Sequence, residues 1–193
     1  MFSFTEITIT FSKKKKMKIT FPLIISALIA NFVIFSCSKD EPGPVDPPIQ
    51  ELTFQVEDKN GNIFDNNQTL DFSSLNYPDA SLDFFVRNIS SEIIGMRIEV
   101  ENMTGTDGSM MELCFGQCFA GVNQGVSYPS NNAEPVVYIN PGQTQTSSGD
   151  HFFNSDPGNG SDAVEYTFKF YEADVDGNLY GAVFRLKYRY LPN

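Results

Sequence analysis

Between residues 164 and 190 the side chains alternate apolar and polar twice over, on either side of an Asp-Gly-Asn turn. Val164, Tyr166, Phe168 and Phe170 alternate with Glu165, Thr167, Lys169 and Tyr171. After Asp176-Gly177-Asn178, the residues Ala182, Phe184, Leu186, Tyr188 and Tyr190 alternate with Val183, Arg185, Lys187 and Arg189. A period of two puts one set of side chains on each face of a strand, whereas a helix needs a period near 3.6. The pattern therefore predicts a hairpin with one greasy face, and that face has to be covered by another layer. The same alternation recurs upstream. Leu52, Phe54 and Val56 form one run, followed by the turn signal Lys59-Asn60-Gly61-Asn62 and the resumption Ile63-Phe64. Ser81 to Asn88 reads as a strand, although Phe84-Phe85 places an aromatic on both faces, and Ile94, Met96, Ile98 and Val100 give another. Met110 to Ala120 is less regular, and Val136 to Ile139 is a short strand before Asn140-Pro141-Gly142. Residues 121–134 and 142–162, rich in Gly, Ser, Asn and Pro, read as loops. About seven short strands with turns between them predict an all-β, antiparallel β-sandwich, with a barrel as the other closure.

The first 36 residues belong to a different regime. Lys13, Lys14, Lys15, Lys16 and Lys18 precede an apolar run of 17 residues, Ile19 to Phe35, interrupted by Pro22 and Asn31. A basic start, an apolar stretch and a small residue before a cut mark a secretory signal, and Met17 makes a more typical start than Met1. The run ends Val33-Ile34-Phe35-Ser36-Cys37. This resembles a lipobox, in which a peptidase cuts before a cysteine whose thiol carries a diacylglycerol. Ile34 stands where Leu is usual and Phe35 is bulkier than the usual occupant. The alternative is an uncut signal anchor, for which the run sits at the lower limit of bilayer-spanning length. Ser38-Lys39-Asp40-Glu41 resembles the Lys-then-acidic export tag of surface-exposed lipoproteins of the Bacteroidetes. That resemblance implies the outer face of the outer membrane. One acyl chain holds a protein only marginally, at about 0.8 kcal/mol per buried methylene, so firm anchoring implies a second, amide-linked chain at Cys37. Pro42, Pro44, Pro47 and Pro48 mark a linker; at about 3.1 Å per residue, Ser38 to Gln50 spans roughly 40 Å. The expected organisation is a signal peptide over 1–36, a lipidated cysteine and linker over 37–50, and a β-sandwich domain over 51–193.

Without residues 1–36 the chain keeps 8 basic and 23 acidic side chains, a net charge of −15. Such a surface repels nucleic acid and anionic lipid headgroups, so nucleic acid is excluded as a partner. With Cys37 assigned to lipid, Cys114 and Cys118 remain, and an oxidising compartment makes a disulfide their expected state. Zinc would lack its usual four nitrogen and sulfur ligands, because His151 is the only histidine. No metal site or cofactor is assigned.

Other constellations weigh little. Asp174, Asp176 and Asn178 supply oxygen ligands at alternate positions, as in a calcium loop. Yet the twelfth position is Arg185 and strands flank the segment, so the sequence predicts a hairpin turn. His151 follows Asp150 and lies near Ser147 and Ser148, but no Gly-x-Ser-x-Gly elbow is present, and the sequence predicts an isolated loop histidine. No catalytic residue is assigned. The residues singled out for ligand binding are aromatics on the expected loops 115–134 and 142–160, chiefly Tyr128, Phe152 and Phe153, with Phe115 and Phe119 beside them. Aromatics on loops can stack on sugars, while the alternative is that they pin the loops to the core.

The run containing Val86-Arg87-Asn88, the Cys114–Cys118 loop and Phe184-Arg185-Leu186-Lys187-Tyr188 resembles immunoglobulin-like domains of secreted Bacteroidetes proteins, loosely, over residues 51–190. The resemblance implies an immunoglobulin-like sandwich with a short cysteine-bridged loop and no catalytic residues. The function expected is a membrane-anchored binding or assembly module with an unidentified protein or glycan partner. The alternative is a glycan- or peptide-handling protein, hydrolytic or not, that uses the aromatic loops.

Overall fold

Alternating runs become strands because each can bury one face. The computed structural model describes residues 51–131, 133–145 and 149–192, and the signal segment, Cys37 and the linker lie outside them. Among the described residues there are twelve strands: β1 (Phe54–Glu57), β2 (Gln68–Phe72), β3 (Ser81–Asp83), β4 (Phe85–Asn88), β5 (Ile94–Thr104), β6 (Met111–Phe115), β7 (Gln117–Ala120), β8 (Ser127–Tyr128), β9 (Val137–Ile139), β10 (His151–Asn154), β11 (Val164–Ala173) and β12 (Leu179–Tyr190). The described residues are all-β, and their sheets form a β-sandwich. The expected seven strands become twelve mainly because short strands of two to five residues join the strongly alternating ones.

One layer has the order β2-β12-β11-β5-β8, with β9 also pairing β5. The β11–β12 hairpin is in the register that the alternation implies, Val164↔Tyr190 through Tyr171↔Val183. β2 adds to β12 in parallel, the exception to the expected antiparallel pairing. The β5–β11 register slips at Glu101, between Thr167↔Asn102 and Phe168↔Val100, a β-bulge. The outer face of this layer is laced by cross-strand ion pairs. Arg185 grips Glu101 through two nitrogens at 2.6 and 2.7 Å, and Lys169 meets Glu99 at 2.5 Å. Partly exposed surface pairs of this kind contribute about 0–1 kcal/mol each.

The second layer has the order β3-β10-β6-β7, and β1 pairs β4 beside it. β3 and β4 are one extended run broken at Phe84, whose amide donates to Asp150 O at 3.3 Å. The two aromatics of that run separate as the sequence suggested: Phe84 is fully buried and Phe85 half-buried. Rings fill the space between the layers. Phe152 of β10 stacks on Phe168 of β11 with centroids 3.6 Å apart, and Phe84 meets Phe170 edge-on at 5.3 Å. Edge-on pairs such as Phe84–Phe170 contribute about 0.5–1.5 kcal/mol beyond the area they bury.

Gly95 in β5 sits where the chain packs too closely for a side chain. A Cβ there would lie 2.5 Å from Val136 Cγ1 and 2.7 Å from the Ala173 carbonyl oxygen. Backbone cannot yield as a side chain does, so Gly95→Ala is expected to destabilise the domain by about 1–3 kcal/mol. Thermal unfolding checks this, and an unchanged midpoint would contradict the packing described.

Candidate functional site

Three neighbouring strands of the second layer bring the chain's chemically distinctive residues into one row on its outer face. His151 of β10 stands opposite Cys114 of β6, and Cys114 stands opposite Cys118 of β7. Asp83 of β3 pairs His151 on the other side. Glu112, two residues before Cys114, shares its face because side chains alternate along a strand. Cys114 and Cys118 form a disulfide across the β6–β7 hairpin, with Cα atoms 4.0 Å apart. The hairpin turns at Gly116, whose φ of 68° suits glycine. Cys114 is buried, while Cys118 is exposed.

His151 is therefore no isolated loop residue. Its strand lies in what reads as a Gly/Ser/Asn-rich loop, and its ring is held at both nitrogens. Nδ1 lies 2.5 Å from Gly149 O and Nε2 lies 2.9 Å from Glu112 Oε1. Next to it, Asp150 is buried under the hairpin tip. Its Oδ1 accepts the Gly116 N–H at 2.9 Å. Burial drives the Asp150 carboxyl up to about 6, against the pull of Gly116, Gln145 and His151.

The aromatic candidates separate into core and surface. Phe152 is fully buried against Phe84 and Phe168, so it is a core ring and not a ligand platform; the sequence suggested a loop because Gly, Ser and Asn surround it. Phe115 is likewise fully buried. Tyr128 is buried, packs on Phe119 at 5.0 Å, and its hydroxyl accepts the Asn123 N–H at 3.1 Å, so it pins its loop. Phe153 points the other way. It is half-buried and meets the exposed ring of Tyr77 edge-on at 5.9 Å. Ser147 lies outside the described residues, as does Ser148.

Asp174, Asp176 and Asn178 sit in the β11–β12 turn. Asp174 Oδ1 accepts the amides of Asp176 and Asn178, and Asn178 Nδ2 donates to Asp174 Oδ2 at 3.1 Å. These bonds hold the Asp174 carboxyl below the usual range. Asp58-Lys59-Asn60-Gly61-Asn62 repeats the device bond for bond, with Asp58 in the place of Asp174. Both carboxylates already serve their turns, which is what an Asx-type turn requires. Arg97 was missed from the sequence. Its guanidinium donates to Gly177 O, Ser127 O and Pro129 O, each at 2.9 Å, tying two loops to β5. An arginine inside a strand pattern gives no hint of that clamp.

Separately, Leu52, Ile63, Phe64, Ile89 and Phe184 line an apolar groove of about 230 Å³, and Ile63 and Ile89 are about half exposed.

These features define an all-β sandwich with a disulfide-closed hairpin and a polar histidine corner beside it. No protein-family model matches the chain, and no curated protein matches it. Among solved structures, the N-terminal domain of PorA is similar at 19% sequence identity and a TM-score of 0.44, over 71% of this chain and 96% of that one.

Proposed function

We propose that this protein is an exported lipoprotein, anchored through acyl chains on Cys37, that holds a non-catalytic immunoglobulin-like binding or assembly module at the outer face of the outer membrane. The observation that carries the proposal is the segment Val33-Ile34-Phe35-Ser36-Cys37, closing an apolar run that follows a lysine cluster. The Cys114–Cys118 disulfide supports it, since structural disulfides persist in oxidising compartments. The apolar groove beside Ile63 and Ile89 supports the binding part, because exposed apolar patches on a soluble domain commonly mark contact surfaces. The net charge of −15 left after residue 36 directs the partner choice away from nucleic acid and towards a protein or glycan.

The test is fractionation of cells making the full chain or Cys37→Ala. The wild-type chain is expected in the membrane fraction and accessible to external protease, and Cys37→Ala is expected in the soluble fraction. Retention of Cys37→Ala in the membrane would overturn the anchor. A second reading, glycan handling, is favoured by one observation, the partly exposed Phe153 set beside Tyr77.

A further inference from the structure

We propose that reduction of the Cys114–Cys118 disulfide turns the outer corner of the second layer into a four-donor site for a zinc-class divalent cation, with Cys114, Cys118, His151 and Glu112 as ligands. The inference is independent of how the protein is anchored.

The strand registers supply the placement. His151↔Cys114 and Cys114↔Cys118 are direct cross-strand partners, and Glu112 lies on the same face. The donor atoms of Glu112, Cys114 and His151 all lie within 4.8 Å of one another. Cys118 Sγ stands outside that trio but is bonded to Cys114 Sγ, so reduction frees it beside the three donors. Two thiolates, an imidazole and a carboxylate suit tetrahedral zinc, whose bonds to such ligands run about 2.0–2.3 Å. Glu112 is the donor that counting cysteine and histidine alone leaves out.

The histidine supplies the second, independent argument. Gly149 O can only accept, so Nδ1 carries a proton. The other nitrogen, Nε2, faces Glu112 Oε1 at 2.9 Å, so the ring and the carboxylate are held side by side with their donor atoms converging. An Nδ1–H bonded to a backbone carbonyl is also the outer arrangement that fixes a metal-binding imidazole in the right tautomer.

The disulfide is the gate, because only thiolates are competent sulfur ligands. A dithiol reductant attacks the exposed sulfur of Cys118 and displaces the buried sulfur of Cys114. It leaves as a disulfide, having given two electrons and two protons to the pair. The cation then displaces both thiol protons into solvent. Cation, two thiolates and one carboxylate sum to a site charge of −1. The bridge closes only a five-residue loop, so it constrains little of the unfolded chain and its opening leaves most of the domain's stability in place. β6 remains paired to β10 and β7, so the corner keeps its form when the bridge opens.

The experiment is titration of the full chain in detergent with Co²⁺, then Zn²⁺, before and after reduction by a phosphine that is then removed. The reduced chain is expected to bind one Co²⁺ with tetrahedral visible bands and a sulfur charge-transfer band, both bleached by Zn²⁺. The bridged chain is expected to bind at least ~100-fold more weakly, lacking both sulfur ligands. His151→Gln and Glu112→Gln are each expected to weaken binding by ~10-fold or more. Cys118→Ser has no bridge to reduce and keeps three donors, so it is expected to bind Co²⁺ without reductant, more weakly than the reduced wild type. Equal binding by bridged and reduced chains would overturn the proposal. So would tight binding by the reduced chain that neither His151→Gln nor Glu112→Gln alters, since that would be a two-cysteine hairpin acting alone. If the reduced chain loses its β signal in circular dichroism, Cys118→Ser decides, and its failure to bind also overturns the site.

Discussion

Phe152→Ala is expected to destabilise the domain by about 3–5 kcal/mol, the usual consequence of emptying a buried aromatic site. The ring is fully buried and lies flat on Phe168 at a centroid distance of 3.6 Å, with Phe84 at 4.5 Å. Removing it leaves a cavity bounded by both layers, and neither can close it without breaking strand register. β10 is paired on both sides, to β3 and β6, so the backbone that carries the ring is fixed. Its neighbour Phe153 faces outward, and Phe153→Ala is expected to cost about 1 kcal/mol or less, as surface substitutions do. Urea unfolding of the two variants checks the contrast. A Phe152→Ala variant as stable as the Phe153→Ala one would mean the ring is not part of the core.

Asp150 gives the next largest expected effect, and it depends on pH. Burial raises its carboxyl from the ordinary value of 3.8 to about 6 in the folded chain. The folded state therefore holds a proton that the unfolded state has released between those two values. The resulting stability is fully present below about pH 4 and is lost as pH rises through 6. A shift of this size corresponds to about 2–3 kcal/mol at most. Glu101 and Asp71, held below their usual range by Arg185 and Arg189, act in the opposite sense in acid. The comparison must therefore be with Asp150→Asn, which removes this one titration. Relative to that variant, the wild type is expected to gain stability as pH falls from 7 to 4. A difference that stays constant over the range would show that the Asp150 carboxylate is solvated.

The long strands were legible because their chemistry is redundant. In β5, β11 and β12 four or five apolar positions repeat at period two, so no single residue decides the reading. β10 was hidden for the opposite reason. His-Phe-Phe-Asn is four residues long, its outward position is another Phe, and Gly149 and Ser155 flank it, so local chemistry says loop while pairing on both sides makes it central. β2 was hidden because its partner is β12, more than a hundred residues away and parallel, and its own burial is only partial. The cysteine pair could be read from compartment and spacing. The row His151–Cys114–Cys118 could not, since it exists only once β10, β6 and β7 are in register. The Asp174 turn was read correctly as a hairpin, while its twin at Asp58 was recognised only from Lys59 onward, one residue after the carboxylate that organises it.

The most direct measurement for the account as a whole is intact-mass and N-terminal mass spectrometry of the protein extracted from membranes with detergent. The expected species begins at Cys37 and carries the mass of a thioether-linked diacylglycerol together with an amide-linked acyl chain. A species in which Ser36 is still joined to an unmodified Cys37 would contradict it.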